Sequence, residues 1–344
     1  MRHALRSLHR RQAGLTLVEL MVSITLGLMI LSGVLTVFFN TSAARNEVER
    51  TSRQIENGRH AVQLLSTDLR LAGFYGEFNP SSVAAPASLP GDPCSLAAAD
   101  WQQWLPFHVL GFDNVGFASP SCALPGLKPG TDVVMLRRAR TCFAGVGGCD
   151  PAAAGLPYLQ VSLCASEVTP IKVGVEGGAA FDLKSKDCVG TAEKRQYYTH
   201  IYFVSTDNGV GGAVPTLMRL ELTGSGWNVV PLVEGIEEFQ AEYGLDSDGD
   251  GAPDAYVANP SDFPKGACTG ACPTNNWLNV VTVRFHVLAR NLDASPGYVD
   301  AKTYELGKDD SGNPVSVTPG GAYRRHVYGS LVRIVNAAGR RETP

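Results

Sequence analysis

The sequence predicts an α+β protein in which one long N-terminal helix packs on the antiparallel β-sheets of a large head. Three observations lead to this class. An apolar run follows a short basic N-terminus, a proline-free segment with a seven-residue apolar repeat continues it, and several later segments alternate apolar and polar residues. The chain has 344 residues, of which 44% are hydrophobic and 18% charged. It can therefore bury a sizeable core and is not a disordered tail.

The apolar run covers residues 15–39, and its one charged side chain is Glu19. As a helix it is long enough to cross a bilayer core of about 30 Å. Basic residues precede the run and none follows immediately, which predicts a cytoplasmic N-terminus and a head in the periplasm or outside the cell. A secretory signal peptide, cleaved near Ser42-Ala43-Ala44, is the alternative. Its apolar region should span only about 7–15 residues.

The segment 41–72 continues the helix because it contains no proline. Its apolar stripe recurs every seven residues, at Val48, Ile55, Val62 and Leu69, and Leu65 and Ala72 fill the offset positions. Charged residues occupy most of the other positions, so the segment is predicted to be an amphipathic helix that docks on a sheet or on a partner helix. Gly73 is the expected stop.

Strand-like segments dominate the chain after Gly73. Residues 80–130 are rich in Pro, Ser, Ala and Gly and are expected to be ordered but irregular. The predicted strands are 132–136, 196–204, 216–222, 235–243, 280–289 and 323–335. In 280–289 alternate residues are apolar, which predicts antiparallel sheets with one buried face.

Charge and motifs exclude some classes of function. The chain has 29 Lys and Arg against 33 Asp and Glu, a net charge of −4, whereas a general nucleic-acid binder needs a basic surface. We also expect no enzymatic activity. The histidines outside the N-terminal segment are scattered, and neither a GxSxG elbow nor a P-loop is present.

Eight cysteines follow the apolar run: Cys94, Cys122, Cys142, Cys149, Cys164, Cys188, Cys268 and Cys272. In an exported protein disulfides are their expected state. The sequence does not choose among the pairings. Pairing of neighbours in chain order is our expectation because short loops close most often. Zinc is the alternative for the last two cysteines, but no His is close and no second such pair exists.

The segment 246–254, Asp-Ser-Asp-Gly-Asp-Gly-Ala-Pro-Asp, is the strongest chemical motif. Spaced carboxylates converge when such a loop curls, and hard oxygen ligands suit Ca²⁺. The predicted ligands are the side chains of Asp246, Asp248, Asp250 and Asp254 and the Ala252 carbonyl. An EF-hand would carry Glu at the twelfth position, where Val257 stands. The alternative is a solvated acidic turn. We expect calcium to brace the loop and not to catalyse.

The N-terminus, with Gly14 followed by Leu-Thr-Leu-Val-Glu-Leu and the apolar run, resembles the class III signal of type IV prepilins and type II secretion pseudopilins. In that family a membrane-embedded prepilin peptidase cuts after the Gly and methylates the new N-terminus. The resemblance implies a cut between Gly14 and Leu15. It also implies that Glu19 pairs with the terminal amino group of a neighbouring subunit, which fixes register in a helix bundle. Leu15 stands where most major pilins have Phe, and no kinking Pro precedes Pro80.

Three regions narrow the resemblance to minor pilins of the PilW family. They are the N-terminal helix as far as Arg59, the segment 233–246 with its Asp loop, and the late strands 280–292 and 323–328. The resemblance implies a pilin-like fold. Its expected parts are a leader (1–14), a transmembrane or filament-core helix (15–39), an amphipathic extension (40–73) and a periplasmic β-rich head (74–344).

The function implied by the resemblance is that of a minor type IV pilin in pilus assembly and priming, with roles in adhesion and twitching motility. The expected partners are other minor pilins, the major pilin, a tip adhesin, prepilin peptidase and the inner-membrane assembly platform, with no nucleic acid. The expected location is the bacterial inner membrane as a single-pass protein, then the pilus surface. Two alternatives remain. One is a J-type minor pseudopilin of type II secretion, and the other is a secreted or membrane-tethered calcium-binding protein with an unrecognised hydrolase site.

Overall fold

The computed structural model describes residues 14, 16–80, 85–114, 122–178 and 181–342. The chain divides into two units, Met1–Arg50 and Thr51–Pro344. The helices of the described residues are α1 (Leu17–Arg70), α2 (Ala98–Gln103), α3 (Cys272–Leu278) and α4 (Val335–Ala338), with a 3₁₀ turn at Pro260–Asp262. The strands are β1 (Val109–Phe112), β2 (Val133–Ala139), β3 (Pro157–Val161), β4 (Ile171–Val175), β5 (Lys194–Ser205), β6 (Thr216–Thr223), β7 (Gly226–Glu234), β8 (Ile236–Leu245), β9 (Ala255–Val257), β10 (Val280–Arg290), β11 (Tyr304–Lys308), β12 (Pro314–Val317) and β13 (Arg325–Arg333).

In the first unit α1 begins with a reciprocal cap. Glu19 Oε2 accepts hydrogen bonds from the Thr16 backbone N–H (3.0 Å) and hydroxyl (2.9 Å), and Thr16 Oγ1 accepts from the Glu19 N–H (3.3 Å). These bonds satisfy donors that a helix start leaves unpaired. The apolar side chains that follow are exposed, and by length and composition this part of α1 could cross a membrane.

In the second unit α1 buries a face that coincides only in part with the predicted stripe. Its buried residues are Gln54, Gly58, Ala61, Leu65, Asp68 and Leu69. Of the predicted stripe in this unit, Leu65, Leu69 and Ala72 are fully buried and Val62 is half-buried, whereas Ile55 is exposed. The small residues at 58 and 61 explain the offset because they let the sheet approach closely: a Cβ added to Gly58 would overlap the Tyr328 ring.

In the described residues of the second unit, the strands form two antiparallel sheets and one hairpin. The larger sheet has the order β1-β2-β5-β3-β4, with β6 paired to β5 and β7 to β6. The smaller sheet has the order β13-β10-β8-β9, and β11 pairs with β12. The six predicted strands correspond to β2, β5, β6, β8, β10 and β13. The α+β class is therefore confirmed.

Among the described residues, the largest hydrophobic core joins α1 to both sheets. It contains Leu65 and Leu69 of α1, Ile201 of β5, and Phe239 and Phe285 of the smaller sheet. A second cluster lies beside β3, β4 and β5. The segment expected to be irregular contributes α2 and β1 in addition to loops.

Candidate functional site

The residues of the predicted processing signal lie at the edge of the described chain. Gly14 is described and exposed, whereas Leu15 and the leader before Gly14 lie outside the described residues. Glu19 is exposed, and its hydrogen bonds to Thr16 hold the carboxylate at the first turn of α1. A carboxylate in that position can pair with a cation brought by another chain.

The predicted calcium loop connects β8 to β9, whose paired ends are Leu245 and Ala255. One carboxylate oxygen from each of Asp246, Asp248 and Asp254 lies within 4.8 Å of the others. These are three of the four predicted carboxylate ligands. Asp250 is not in the cluster: its Oδ1 instead accepts a hydrogen bond of 2.7 Å from the Ala252 backbone N–H.

Asp246 holds the loop in its curled form. Its side chain is completely buried, Oδ1 accepts from the Gly249 N–H (2.6 Å), and Oδ2 accepts from the Gly251 N–H (3.0 Å). Oδ2 also lies 3.4 Å from Arg341 Nη1. Asp254 Oδ2 closes the loop by accepting from the Ser247 N–H (2.7 Å). The clustered carboxylates can hold a hard cation, and Arg341 would compete with such a cation for the charge of Asp246.

The eight cysteines pair in chain order, which is the expected pairing. The disulfides are Cys94–Cys122, Cys142–Cys149, Cys164–Cys188 and Cys268–Cys272. In the same order, the two cysteines of each bridge are 28, 7, 24 and 4 residues apart in sequence. Each bridge therefore constrains a local segment and does not join distant parts of the chain.

A buried polar network, which no sequence pattern predicted, joins the last turns of α1 to the larger sheet. Asp68 Oδ2 lies 2.6 Å from His200 Nδ1 and accepts from the Tyr202 hydroxyl (2.7 Å), while Oδ1 accepts from Arg138 Nε (2.5 Å). Burial acts to raise the pKa of Asp68, but His200, Arg138 and Tyr202 together hold that pKa well below its usual range. The available signal was an acidic residue three positions after Leu65, on the buried face of an amphipathic helix.

Comparison with known protein families gives two matches. Residues 201–336 match the family described as Type IV Pilus-assembly protein W, and residues 9–35 match the prokaryotic N-terminal methylation motif. The first match covers the whole smaller sheet and the Asp loop. No curated protein and no solved structure gives a match.

The methylation motif, the apolar start of α1 and the antiparallel sheets define a protein of the prepilin type. Its signal and apolar helix are consistent with anchoring in an inner membrane. Within that class the chain is PilW-like, and it is a minor pilin related to type IV pili.

Proposed function

We propose that this minor pilin joins other minor pilins in a complex that primes assembly of a type IV pilus and stays at the pilus tip beneath an adhesin. The observation that supports this proposal is the presence of the methylation motif and the PilW match on one chain. Prepilin peptidase would process the chain in the inner membrane. The assembly platform would then extract it, and major pilin would add below it.

Helix bundling supplies the driving force in this proposal. The exposed apolar side chains of α1 in the first unit would pack against the same segment of neighbouring subunits. An unpaired carboxylate in such apolar surroundings costs on the order of 3 kcal/mol. Glu19 would therefore pair with the methylated amino group of Leu15 in the neighbouring subunit. That pair would fix the axial register between helices.

The proposal is tested with the Glu19→Gln variant in a strain lacking the native gene. Thr25→Ala is the matched control because Thr25 is also exposed and bonds only a carbonyl of its own helix, that of Val22. We expect Glu19→Gln to be processed and stable in the membrane but to restore few surface pili, and Thr25→Ala to restore piliation. Normal piliation with Glu19→Gln would overturn the assignment of Glu19.

Processing is tested separately by the intact mass and N-terminal sequence of the mature protein. A start at N-methylated Leu15 supports the prepilin pathway. A start near Arg45 would mean that a signal peptidase removes the whole apolar segment, and it would contradict the proposal. Neighbouring genes distinguish a pilus from the J-type pseudopilin alternative, since the latter should lie among secretion-system genes.

We also propose that the chain has no enzymatic activity. In support, the Asp68–His200 pair is buried, and both side chains are hydrogen-bonded within their own network. A screen of the purified protein against ester, peptide and glycoside substrates tests this. Turnover that survives repurification would favour the alternative of a calcium-binding protein with a hydrolase site.

We propose Ca²⁺ as the ligand of the Asp loop, held by Asp246, Asp248 and Asp254. The convergence of their oxygens supports this set over the predicted one that includes Asp250. Calorimetric titration with Ca²⁺ should give one site, which Asp248→Asn weakens at least tenfold. Asp250→Asn is the matched control and should leave the affinity unchanged. Equal loss in both variants, or no heat with the native chain, would contradict the assignment.

A further inference from the structure

The disulfide Cys268–Cys272 differs from the other three in the exposure of its cysteines. All eight cysteines lie within the described residues, and the buried ones are Cys94, Cys122, Cys149 and Cys164. Each of the other three bridges therefore has at least one buried cysteine, whereas Cys268 and Cys272 are both half-buried. Thiol–disulfide exchange requires access to one sulfur and a favourable environment for the other, which leaves as a thiolate. Burial in apolar surroundings opposes that thiolate, so exposure favours Cys268–Cys272 as a site of exchange.

The surroundings of this bridge leave room for an incoming molecule. The bridge lies between the 3₁₀ turn and the first residue of α3. The neighbouring residues 266, 267 and 269–271 are exposed. Among the described residues, no heavy atom beyond the chain neighbours lies within 4 Å of a Cβ added to Gly266 or Gly270. A thiol carried by another protein can therefore approach this loop from solvent.

Polar groups are in place for the two sulfurs once the bridge opens. Asn276 Nδ2 lies 3.6 Å from each sulfur, and in the bridged form it donates to the carbonyl oxygens of Pro260 and Phe263. A thiolate is charged and is the stronger acceptor, so one of these N–H groups can turn to it. The Phe263 carbonyl oxygen lies 3.3 Å from Cys272 Sγ and can then accept from a thiol at that position. These groups favour Cys272 as the sulfur that leaves.

The fold does not depend strongly on this bridge. Its cysteines are only four residues apart, and the stabilisation by a disulfide grows with the length of the loop that it closes. The helix α3 is also held by Trp277, which is 1% exposed and donates its indole N–H to Ser261 Oγ at 2.7 Å. The second unit should therefore stay folded with the bridge open, as reversible exchange requires.

We propose that Cys268–Cys272 is a thiol–disulfide exchange site whose substrate is the dithiol of another protein. A thiolate of that dithiol attacks Cys268 Sγ, the bond between the two cysteines breaks, and Cys272 leaves as a thiolate that takes up a proton. The second thiolate of the dithiol then attacks the mixed disulfide and releases Cys268, which is protonated in turn. The dithiol ends as a disulfide, and its two electrons and two protons are on Cys268 and Cys272. This inference does not depend on the role in pilus assembly, since the bridge uses none of the residues assigned to it.

The four bridges of the native chain test the inference against one another. The full-length protein in detergent micelles is incubated with graded dithiothreitol, alkylated with N-ethylmaleimide and digested with trypsin. Cleavage after Lys265 and Arg284 puts both cysteines on one peptide that has no other cysteine, and mass spectrometry counts its labels. We expect two labels there at about tenfold less dithiothreitol than any other bridge needs. Earlier or equal labelling of another bridge would overturn the inference; Cys164–Cys188 is the closest rival because Cys188 is exposed.

A protein dithiol tests the proposed class of substrate. Thioredoxin, kept reduced by its reductase and NADPH, replaces dithiothreitol in the same experiment. We expect it to label the peptide that carries Cys268 and Cys272 and to leave the other three bridges closed. Absence of label on that peptide would overturn the assignment of a protein substrate.

Variants test the role of the neighbouring groups. Asn276→Ala removes the donor near both sulfurs and should raise the required dithiothreitol several-fold, while Asn275→Ala, exposed on the same helix, is the control and should not. Unchanged reduction of a folded Asn276→Ala variant would contradict the role of Asn276. If that variant misfolds, the ranking of the four bridges in the native chain remains the test. Replacement of Cys268 and Cys272 together by Ser should leave the urea midpoint nearly unchanged, and an unfolded double variant would refute reversible exchange at this site.

Discussion

The buried carboxylate of Asp68 should be among the most important single groups for stability of the second unit. Its side chain is 7% exposed and bonds His200, Tyr202 and Arg138 at 2.5–2.7 Å. Asp68→Asn keeps the shape but removes the charge, which leaves Arg138 and His200 without their carboxylate. Breaking a buried ionic pair from one side costs about 3–5 kcal/mol, and we expect a loss of that size in the free energy of unfolding.

The dependence on pH follows from the lowered pKa of Asp68. In the unfolded chain an aspartate has a pKa of about 3.9. The native state favours the ionised form of Asp68. The contribution of Asp68 to the free energy of unfolding is therefore fully present above that pH and is lost as the pH falls below it. The difference between the native chain and Asp68→Asn should therefore be constant from about pH 5 to 7 and shrink toward pH 3.

Urea unfolding of the full-length protein in detergent, followed by tryptophan fluorescence with disulfides intact, measures this difference. Asp182→Asn is the control and should not shift the midpoint, since its pair with Lys172 is exposed to water. Two results would refute the reasoning. One is an Asp68→Asn midpoint equal to that of the native chain, and the other is a difference as large at pH 3 as at pH 7.

Three further predictions concern the same unit. Burial raises the pKa of Asp132 to about 8, so the native state keeps a proton that the unfolded chain loses near pH 4. The free energy of unfolding should therefore fall as the pH rises from 4 to 8, by up to about 1.4 kcal/mol per pH unit. Asp132→Asn should remove that slope, which urea titrations at pH 5, 6.5 and 8 measure. Gly58→Ala should destabilise the second unit by about 1–3 kcal/mol because the new methyl group meets the Tyr328 ring, although alanine is the better helix former. A raised melting temperature would show that the helix and the Tyr328 ring are not in close contact at this position. Replacing Cys94 and Cys122 together by Ser should cost about 3–4 kcal/mol for a separation of 28 residues, and an unchanged urea midpoint would argue against that estimate.

Local patterns predicted much of this fold. The apolar run, the proline-free helix and the alternation in β10 are visible within a few residues, so α1 and the late strands could be placed from sequence. Part of the buried face of α1 is offset by one position from the predicted stripe, because the helix docks where small residues such as Gly58 let the sheet approach. Strand β7 was missed because it is half-exposed and contains Pro231, which is typical of an edge strand.

The polar sites depended more on tertiary structure. Asp68 and His200 are 132 residues apart, and nothing local to either residue indicates the pair. In the Asp loop the sequence indicated the right segment, but the path of the turn decides which carboxylates converge. That path brings Asp254 to Asp246 and directs the side chain of Asp250 to the backbone N–H of Ala252.

The polar contacts of α1 in the second unit also have a mechanical consequence. Gln54 donates to the Ala289 carbonyl of the smaller sheet, Ser66 bonds Ser330 of the same sheet, and Asp68 bonds His200 of the larger one. These contacts are spread over 14 residues of helix, about 21 Å at a rise of 1.5 Å per residue. Tension applied along α1 would be divided between both sheets at several levels. Rupture of one contact would therefore leave the helix attached, and the load would pass to the others.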